Sequence, residues 1–504
     1  MTTLQELKDK WFVDINQEEA FPPQTRHRAT NIQPSTDGNL VEPLIDGLAV
    51  MGDFHYRVVE MVNSDKPEDC LIFVAAMGID PVKLLGENGP AKDAMTTMIE
   101  AAEAGVNVHF LGSGQGNMAS NSESFAKKLI ERGSQGATDK RFPGLTGGHH
   151  QKFNASRGPD GHWTALVSSA DFFFSRWDSP EHTPENPNLP KKGGPTHDLG
   201  LKVKGPAVAD IVGTFRERWN DPSSAEGTSP PIQYPLPDYF GDSPLPKVGP
   251  HSVQVLRTYP LIKKGKRYSW SDQGEYTIWA AYLQAIKQAQ QYIYIEDQYL
   301  FTFHDPPYIE TSTGVKRDTD IVYQLGEALK RGVDVVALVP GRNSAIWKHY
   351  EIQQRRRAAE YLQGIAEASP DHGQFVICTL RIGGNDPTIH SKLMLVDDEY
   401  TLVGSANICQ RSIAYITELQ LAVVDEENKL AKDLRMALWQ EHMELDTPDS
   451  LINPRDAVGD FRDTAASGKG RLRLLPAKRF KPEFPYRFMF NRIVDPYSGP
   501  ERES

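Results

Sequence analysis

His390 and Lys392 stand two residues apart in HSKLMLVDDEYTLVGSANICQRS, and the same pair recurs as His150 and Lys152 in HHQKFNAS. Residues two apart on an extended strand project to one side, so each imidazole would lie beside a fixed cation. That pairing suits a phosphate ester. The ammonium stabilises anionic oxygens, and the imidazole attacks phosphorus or passes a proton. A small polar turn follows each pair. Ser405 and Asn407 flank Ala406, and alternation lets both face one pocket and donate hydrogen bonds to phosphate oxygens. Ser169 and Asp171, flanking Ala170, hold the corresponding places in the first half. Two such sets closing on one phosphate supply two histidines for two roles, one nucleophile and one general acid. That chemistry requires no metal and no cofactor.

The elements that must position these residues also occur twice. AMTTMIEAAEAGVNVHFLGSG and TDIVYQLGEALKRGVDVVALVP each read as an amphipathic helix, a glycine stop (Gly105, Gly332) and a short strand. CLIFVAAMGID precedes the first helix and QYIYIEDQYLF the second. WTALVSSADFF and HDLGLKVKGPAV close the first half, YTLVGSANIC and TELQLAVVDEE the second. A repeat of this length is a duplicated domain rather than a solenoid. Strands alternating with helices predict an α/β fold: two pseudo-symmetric sandwich domains, each with a mixed sheet flanked by helices. The expected boundaries are an N-terminal extension over 1–44, a first half over 45–222, a Pro/Gly-rich linker over 223–252, a second half over 253–445 and a basic extension over 446–504.

The 504 residues carry a net charge of -12. An acidic chain is a poor general binder of nucleic acid, which needs basic surface. Three dispersed cysteines, Cys70, Cys378 and Cys409, give neither a disulfide framework nor a paired metal site. The charged N-terminus lacks the apolar segment of a signal peptide, and the longest apolar run, LIFVAAMGI, is too short to span a bilayer. The expectation is a soluble monomer, cytoplasmic or exported without a cleaved leader, that touches a membrane or micelle only transiently.

The duplicated His-x-Lys with its flanks resembles the phospholipase D superfamily, whose signature is His-x-Lys-x4-Asp followed by Gly-Ser/Gly-x-Asn. IYIEDQYLF, SSADFFFSRWD and HDLGLKVKGPAVADIVGTFRERWN are similar to segments of the plant and eukaryotic-type enzymes. The resemblance implies hydrolysis of a phospholipid such as phosphatidylcholine to phosphatidate and an alcohol, with transfer to other alcohols, through a covalent phosphohistidine. By the same resemblance His150 is the nucleophile, since His149 has no lysine two places on, and His390 is the general acid and base. Glu418 would support His150, and Asp198 would support His390. Asp397 would brace its loop. No calcium module is expected. Two departures stand out: Arg157 replaces the first copy's Asp, and Ser168–Ser169 with Asp171 replaces the usual Gly and Asn. The alternatives are a nuclease or other non-lipid phosphodiesterase, disfavoured by the acidic charge, and a catalytically impaired lipid-binding protein, motivated by Arg157. The remaining signals read as structural. Trp270 and Trp279 are expected in the core, Arg355–Arg357 on a solvated helix face, and the GSGQG loop lacks nucleotide-binding spacing.

Overall fold

The computed structural model describes residues 2–15, 32–80, 83–84, 92–114, 119–141, 147–173, 176–183, 194–241, 244–260, 268–270, 274–303, 317–341 and 348–475. Residues 476–504 of the basic extension and the Gln115–Gly116 end of the GSGQG loop lie outside them. Among the described residues the main strands of the first half are β1 (Thr36–Ile45), β2 (Leu71–Ala76), β3 (Asn107–Ser113), β4 (Gln135–Asp139), β5 (Phe153–Arg157), β6 (Trp163–Ser168) and β7 (Leu199–Lys204). Those of the second are β8 (His251–Tyr259), β9 (Tyr292–Glu296), β10 (Asp334–Leu338), β11 (Phe375–Leu380), β12 (Leu393–Val396), β13 (Tyr400–Gly404) and β14 (Glu418–Asp425).

Pairing gives the order β4–β3–β2–β5–β6–β7–β1 in one half and β11–β10–β9–β12–β13–β14–β8 in the other. The first three strands of each list run parallel, and the rest pair antiparallel. The duplication seen in the sequence is therefore a duplication of topology. The parallel strands are nearly continuous runs of buried aliphatics, as LIFVAA and DVVAL require when helices cover both faces. β1 and β8 pair across the halves (Thr36↔Val253), joining the two sheets into one.

A shared core lies between the halves. Leu199, Leu201 and Phe215 of the first half and Leu419, Leu421 and Trp439 of the second belong to one cluster. The outer helices of each half have their own clusters, and the helix Leu4–Trp11 joins that of the second half, where the Trp11 ring stacks on Tyr400. Trp270 and Trp279 are both buried.

Three expectations change. The first half starts before residue 45, because β1 is an integral strand rather than part of an extension. Its Pro43 and Glu42 had obscured the strand pattern. Arg355 is not on a solvated face. It is 2% exposed, and its guanidinium donates to the carbonyls of Gln298, Tyr299 and Pro340, tying the helix Lys348–Ala366 to the loops after β9 and β10. Arg157, at the place of the missing Asp, braces the same loop position with reversed polarity. In the second half the Asp397 carboxylate accepts the backbone N–H groups of Gln290, Gln291 and Tyr292 at 2.8–3.0 Å. In the first, the Arg157 guanidinium donates to the Asp69 carbonyl at 2.6 and 3.1 Å. Asp397→Ala would strand three amide donors in a partly buried turn. It should lower unfolding stability by about 2–3 kcal/mol, read as a shift of the urea midpoint, whereas Arg157→Ala, at an exposed bond, should cost less than about 1 kcal/mol.

Candidate active site

Each His-x-Lys pair sits in the short segment leading into β5 or β12, and each segment is pinned by the opposite half. His149 and Thr417 form a parallel bridge, and the His150 amide donates to the Thr417 carbonyl at 2.9 Å. In mirror fashion, Thr388–Ile389 pairs with Thr196–His197, and the His390 amide donates to the His197 carbonyl at 2.8 Å. The site is thus built only when the halves close, and each histidine rests against a strand it does not belong to.

Those crossings deliver the carboxylates. Glu418 begins β14 and meets His150 Nδ1 at 2.8 and 2.9 Å. Asp198, just before β7, meets His390 Nδ1 at 2.8 Å. The His150 side chain is 14% exposed, that of His390 4%, and both carboxylates are fully buried. A carboxylate on Nδ1 fixes the tautomer and leaves the Nε2 lone pair free of it. Lys152 and Lys392 curl back so that each Nζ donates to the carbonyl of its own histidine. The structure therefore brings His150, Lys152, His390, Lys392, Asp198 and Glu418 together across the junction.

The small polar turns meet the carboxylates. A hydroxyl has one proton, and Ser169 gives its proton to Asp198 while Ser405 gives its to Glu418, each at 2.5 Å. Both hydroxyl oxygens also accept an amide, from Leu199 and Leu419. These serines hold the carboxylates. Asp171 has no proton to donate as an ion. Its carboxylate takes the Met77 amide at 2.8 Å and pairs with Lys152 Nζ at 3.1 Å, so it orients that lysine. Asn407 is buried, and its Oδ1 has no hydrogen-bond partner among the described residues.

In the second half the carboxylate beside the lysine comes from another element. Asp297, at the end of β9, accepts the Ile408, Tyr299 and Leu300 amides and helps keep Lys392 charged. Arg176 and Arg411 also bear on the site: both are cations that hold down a histidine, Arg176 that of His390 and Arg411 that of His150. The sequence carried a signal for these two, since Arg176 follows Ser169 and Arg411 follows Ser405 at nearly the same interval.

Burial dominates the electrostatics. It pushes the Glu418 carboxyl up to about 8, against the pull of Lys152 and the Ser405 hydrogen bond. It pulls the Lys392 ammonium down to about 7, against Asp198 and Asp297. Burial and the nearby cations together hold His150 and His390 well below the usual imidazole range, so both are neutral when the site is free of substrate. An anion entering between the two lysines would relieve several of these strains at once, as expected of a cationic cleft.

Two family profiles match this chain: "Phospholipase D" over residues 145–305 and "Cardiolipin synthase, PLD-like domain" over residues 282–441. With both signature segments inside those matches and the duplicated topology around them, the chain belongs to the phospholipase D superfamily. It is 27% identical over 305 residues to phospholipase D A of Dictyostelium discoideum, covering 53% of this chain and 22% of that one. It is 24% identical over 425 residues to phospholipase D delta of Arabidopsis thaliana, covering 61% and 49%. The chain thus spans between about a fifth and half the length of these relatives. Among solved structures, phosphatidylserine synthase of Haemophilus influenzae superposes with a TM-score of 0.53 at 15% identity, covering 92% of this chain and 95% of that one, which is a likeness of fold.

Proposed function

We propose that this chain is a phosphodiesterase that cleaves a phospholipid such as phosphatidylcholine to phosphatidate and an alcohol, and that it also transfers the phosphatidyl group to other alcohols. The observation that carries the reading is the crossed pair of dyads, His150–Glu418 and His390–Asp198, with one lysine beside each histidine. Glu418 takes the Nδ1 proton of His150, and the Nε2 lone pair attacks phosphorus. His390, which takes up a proton on Nε2 when the anionic diester binds, delivers that proton to the leaving alkoxide as its bond to phosphorus breaks. A phosphohistidine and a free alcohol result. His390, now neutral, removes a proton from water or an acceptor alcohol, which displaces His150 and regenerates the site. Lys152 and Lys392 balance the charge on the non-bridging oxygens in both steps. Among the described residues no helix is long and apolar enough to cross a membrane, so the substrate would be met at an interface. The relatives named phospholipase D supply the substrate class.

The test gives one preparation phosphatidylcholine vesicles with ethanol, in calcium-free buffer, and reads choline and phosphatidylethanol together. Both products should form with wild type. Silence on lipids, with turnover of nucleic acid or small diesters, would sink the lipid reading while leaving the two-histidine chemistry standing.

A further inference from the structure

We propose that His197 is a positioning residue: an imidazolium clipped between Asp46 of the first half and Glu296 of the second, which fixes Asp198 and, through it, the general acid His390. The case starts from proton counting. His197 Nδ1 lies 2.8 Å from Asp46 Oδ1, and its Nε2 lies 3.1 Å from Glu296 Oε2. A neutral imidazole has one N–H and can satisfy only one of these carboxylates, whereas the imidazolium donates to both. All three side chains are fully buried. A bare nitrogen lone pair facing a buried carboxylate is costly, so both nitrogens carry protons. Burial opposes the charge, but Asp46 and Glu296 outweigh it and hold His197 well above the usual imidazole range. Burial opposes the charge of Glu296 as well, and His197 outweighs it there, holding that carboxyl well below its usual range.

The surroundings suit a cation. The His182 and His442 rings meet His197 edge-on, with centroids 5.5 and 5.3 Å away. Each has a carboxylate of its own: His182 Nδ1 meets Asp178 at 2.6 Å, and His442 Nε2 meets Glu296 Oε1 at 3.1 Å. The Tyr294 hydroxyl donates to the same Glu296 oxygen at 2.7 Å. Glu441 stands 3.7 Å from His182 and 3.9 Å from His442, and it accepts from Arg471 at 3.1 Å. Of the three histidines, His197 is the one with a carboxylate at hydrogen-bond distance from each nitrogen.

What the clip holds is the second dyad. The His197 carbonyl accepts the His390 and Ser391 amides at 2.8 and 3.0 Å. Asp198, the next residue, meets His390 Nδ1. Asp46 closes the clamp, because its amide donates to the Asp198 carbonyl at 2.8 Å from a backbone φ of 65°, where residues with side chains are uncommon. The cation also acts through space: burial raises the Asp198 carboxyl, and Arg176, Lys392 and His197 pull against it. In the other dyad Thr417 stands one place before Glu418 and carries no charge. The clip therefore serves the histidine that must hand over a proton. Its folded-state value is raised, so the clip is intact at neutral pH and is lost as pH rises through that value. This role rests on the phosphodiesterase reading, with His390 as the acid.

The first measurement uses wild type labelled with nitrogen-15 at histidine. At neutral pH the His197 ring, assigned through bonds from its backbone, should show two slowly exchanging N–H resonances. The second uses His197→Gln, which keeps a donor and loses the charge. On an alkyl diester it should lower kcat by about 10²-fold, the usual cost of displacing a catalytic group by about 1 Å, with KM little changed. On a p-nitrophenyl diester, whose leaving group needs no proton, its burst should stay near the wild-type rate. The third is a cycle of urea midpoints, in which the losses from His197→Gln and Glu296→Gln should be non-additive, the double variant falling short of their sum. A single N–H resonance would make the ring neutral and overturn the proposal whether or not any variant folds. Equal losses on both diesters would be general damage rather than action through His390, and would overturn it too, as would wild-type kinetics or additive midpoints. Wild type that cleaves neither diester would sink the phosphodiesterase reading instead, and the resonances and the midpoint cycle would then decide the clip.

Discussion

His150→Ala should lower turnover by at least roughly 10⁴-fold, because it removes the atom that bonds to phosphorus. His390→Ala should lower it less, by roughly 10²–10⁴-fold on an alkyl diester, the usual contribution of a general acid. The leaving group separates the two roles. A p-nitrophenyl diester needs no proton to depart, so His390→Ala should recover much of its first step on that substrate. It should then stall, because nothing deprotonates the attacking water. The expected result is a burst of p-nitrophenol, followed by an acid-labile, alkali-stable phosphate adduct that maps to His150. His150→Ala should give neither burst nor adduct on any substrate. The opposite pattern, with the adduct on His390, would exchange the two roles. The experiment has to discriminate between them, because both histidines have the same kind of carboxylate at nearly the same distance. The asymmetry lies in burial and neighbours: His150 is the more open side chain, and His390 lies near Arg176.

The fold was legible because each half repeats the same run of strand, helix and strand, and that order alone fixes the sheet. The His-x-Lys pairs were legible for the same reason. What the sequence hid was polarity and partnership. Ser169 and Ser405 look like phosphate donors when only strand alternation is considered. Their single protons go instead to Asp198 and Glu418, carboxylates that a strand pairing distant in sequence brings alongside. Arg157 looked like a defect in the motif. It braces the equivalent backbone loop by donating where Asp397 accepts, so the loop survives an inversion of charge. The lysine supports were hidden by an exchange between elements: Asp171 follows the serine in one half, whereas Asp297 ends a strand in the other. A residue-by-residue comparison of the halves sees only Asn407 opposite Asp171. The buried histidines between the halves gave no motif, since Asp46, His182, His197 and Glu441 meet in one group and His197, Glu296 and His442 in another only through tertiary packing.

The pH dependence of kcat/KM should be a narrow bell. Glu418 must be ionised to take the Nδ1 proton of His150 and leave Nε2 free, so activity falls with acid as its carboxyl, pushed up to about 8, gains a proton. Lys392 must be an ammonium to balance the phosphoryl oxygens, so activity falls with alkali as that group, pulled down to about 7, loses one. The group needed deprotonated has the higher value, so the active form is a minority arrangement of one proton shared between two sites. Its population peaks at the mean of the two values, about 7.5, and the two limbs belong to the pair jointly. A bound phosphodiester anion favours the lysine cation, so the alkaline limb of kcat should move to higher pH than that of kcat/KM. Glu418→Gln separates this account from a merely structural one. Glutamine can still accept from Nδ1, so His150 keeps its place. It supplies no charge, and kcat should drop roughly 10²–10⁴-fold, as when the carboxylate behind a catalytic imidazole is neutralised. The acid limb should vanish from the profile at the same time, leaving the alkaline descent alone. An acid limb that persists unchanged in Glu418→Gln would assign that ionisation to another group and remove Glu418 from the dyad's chemistry.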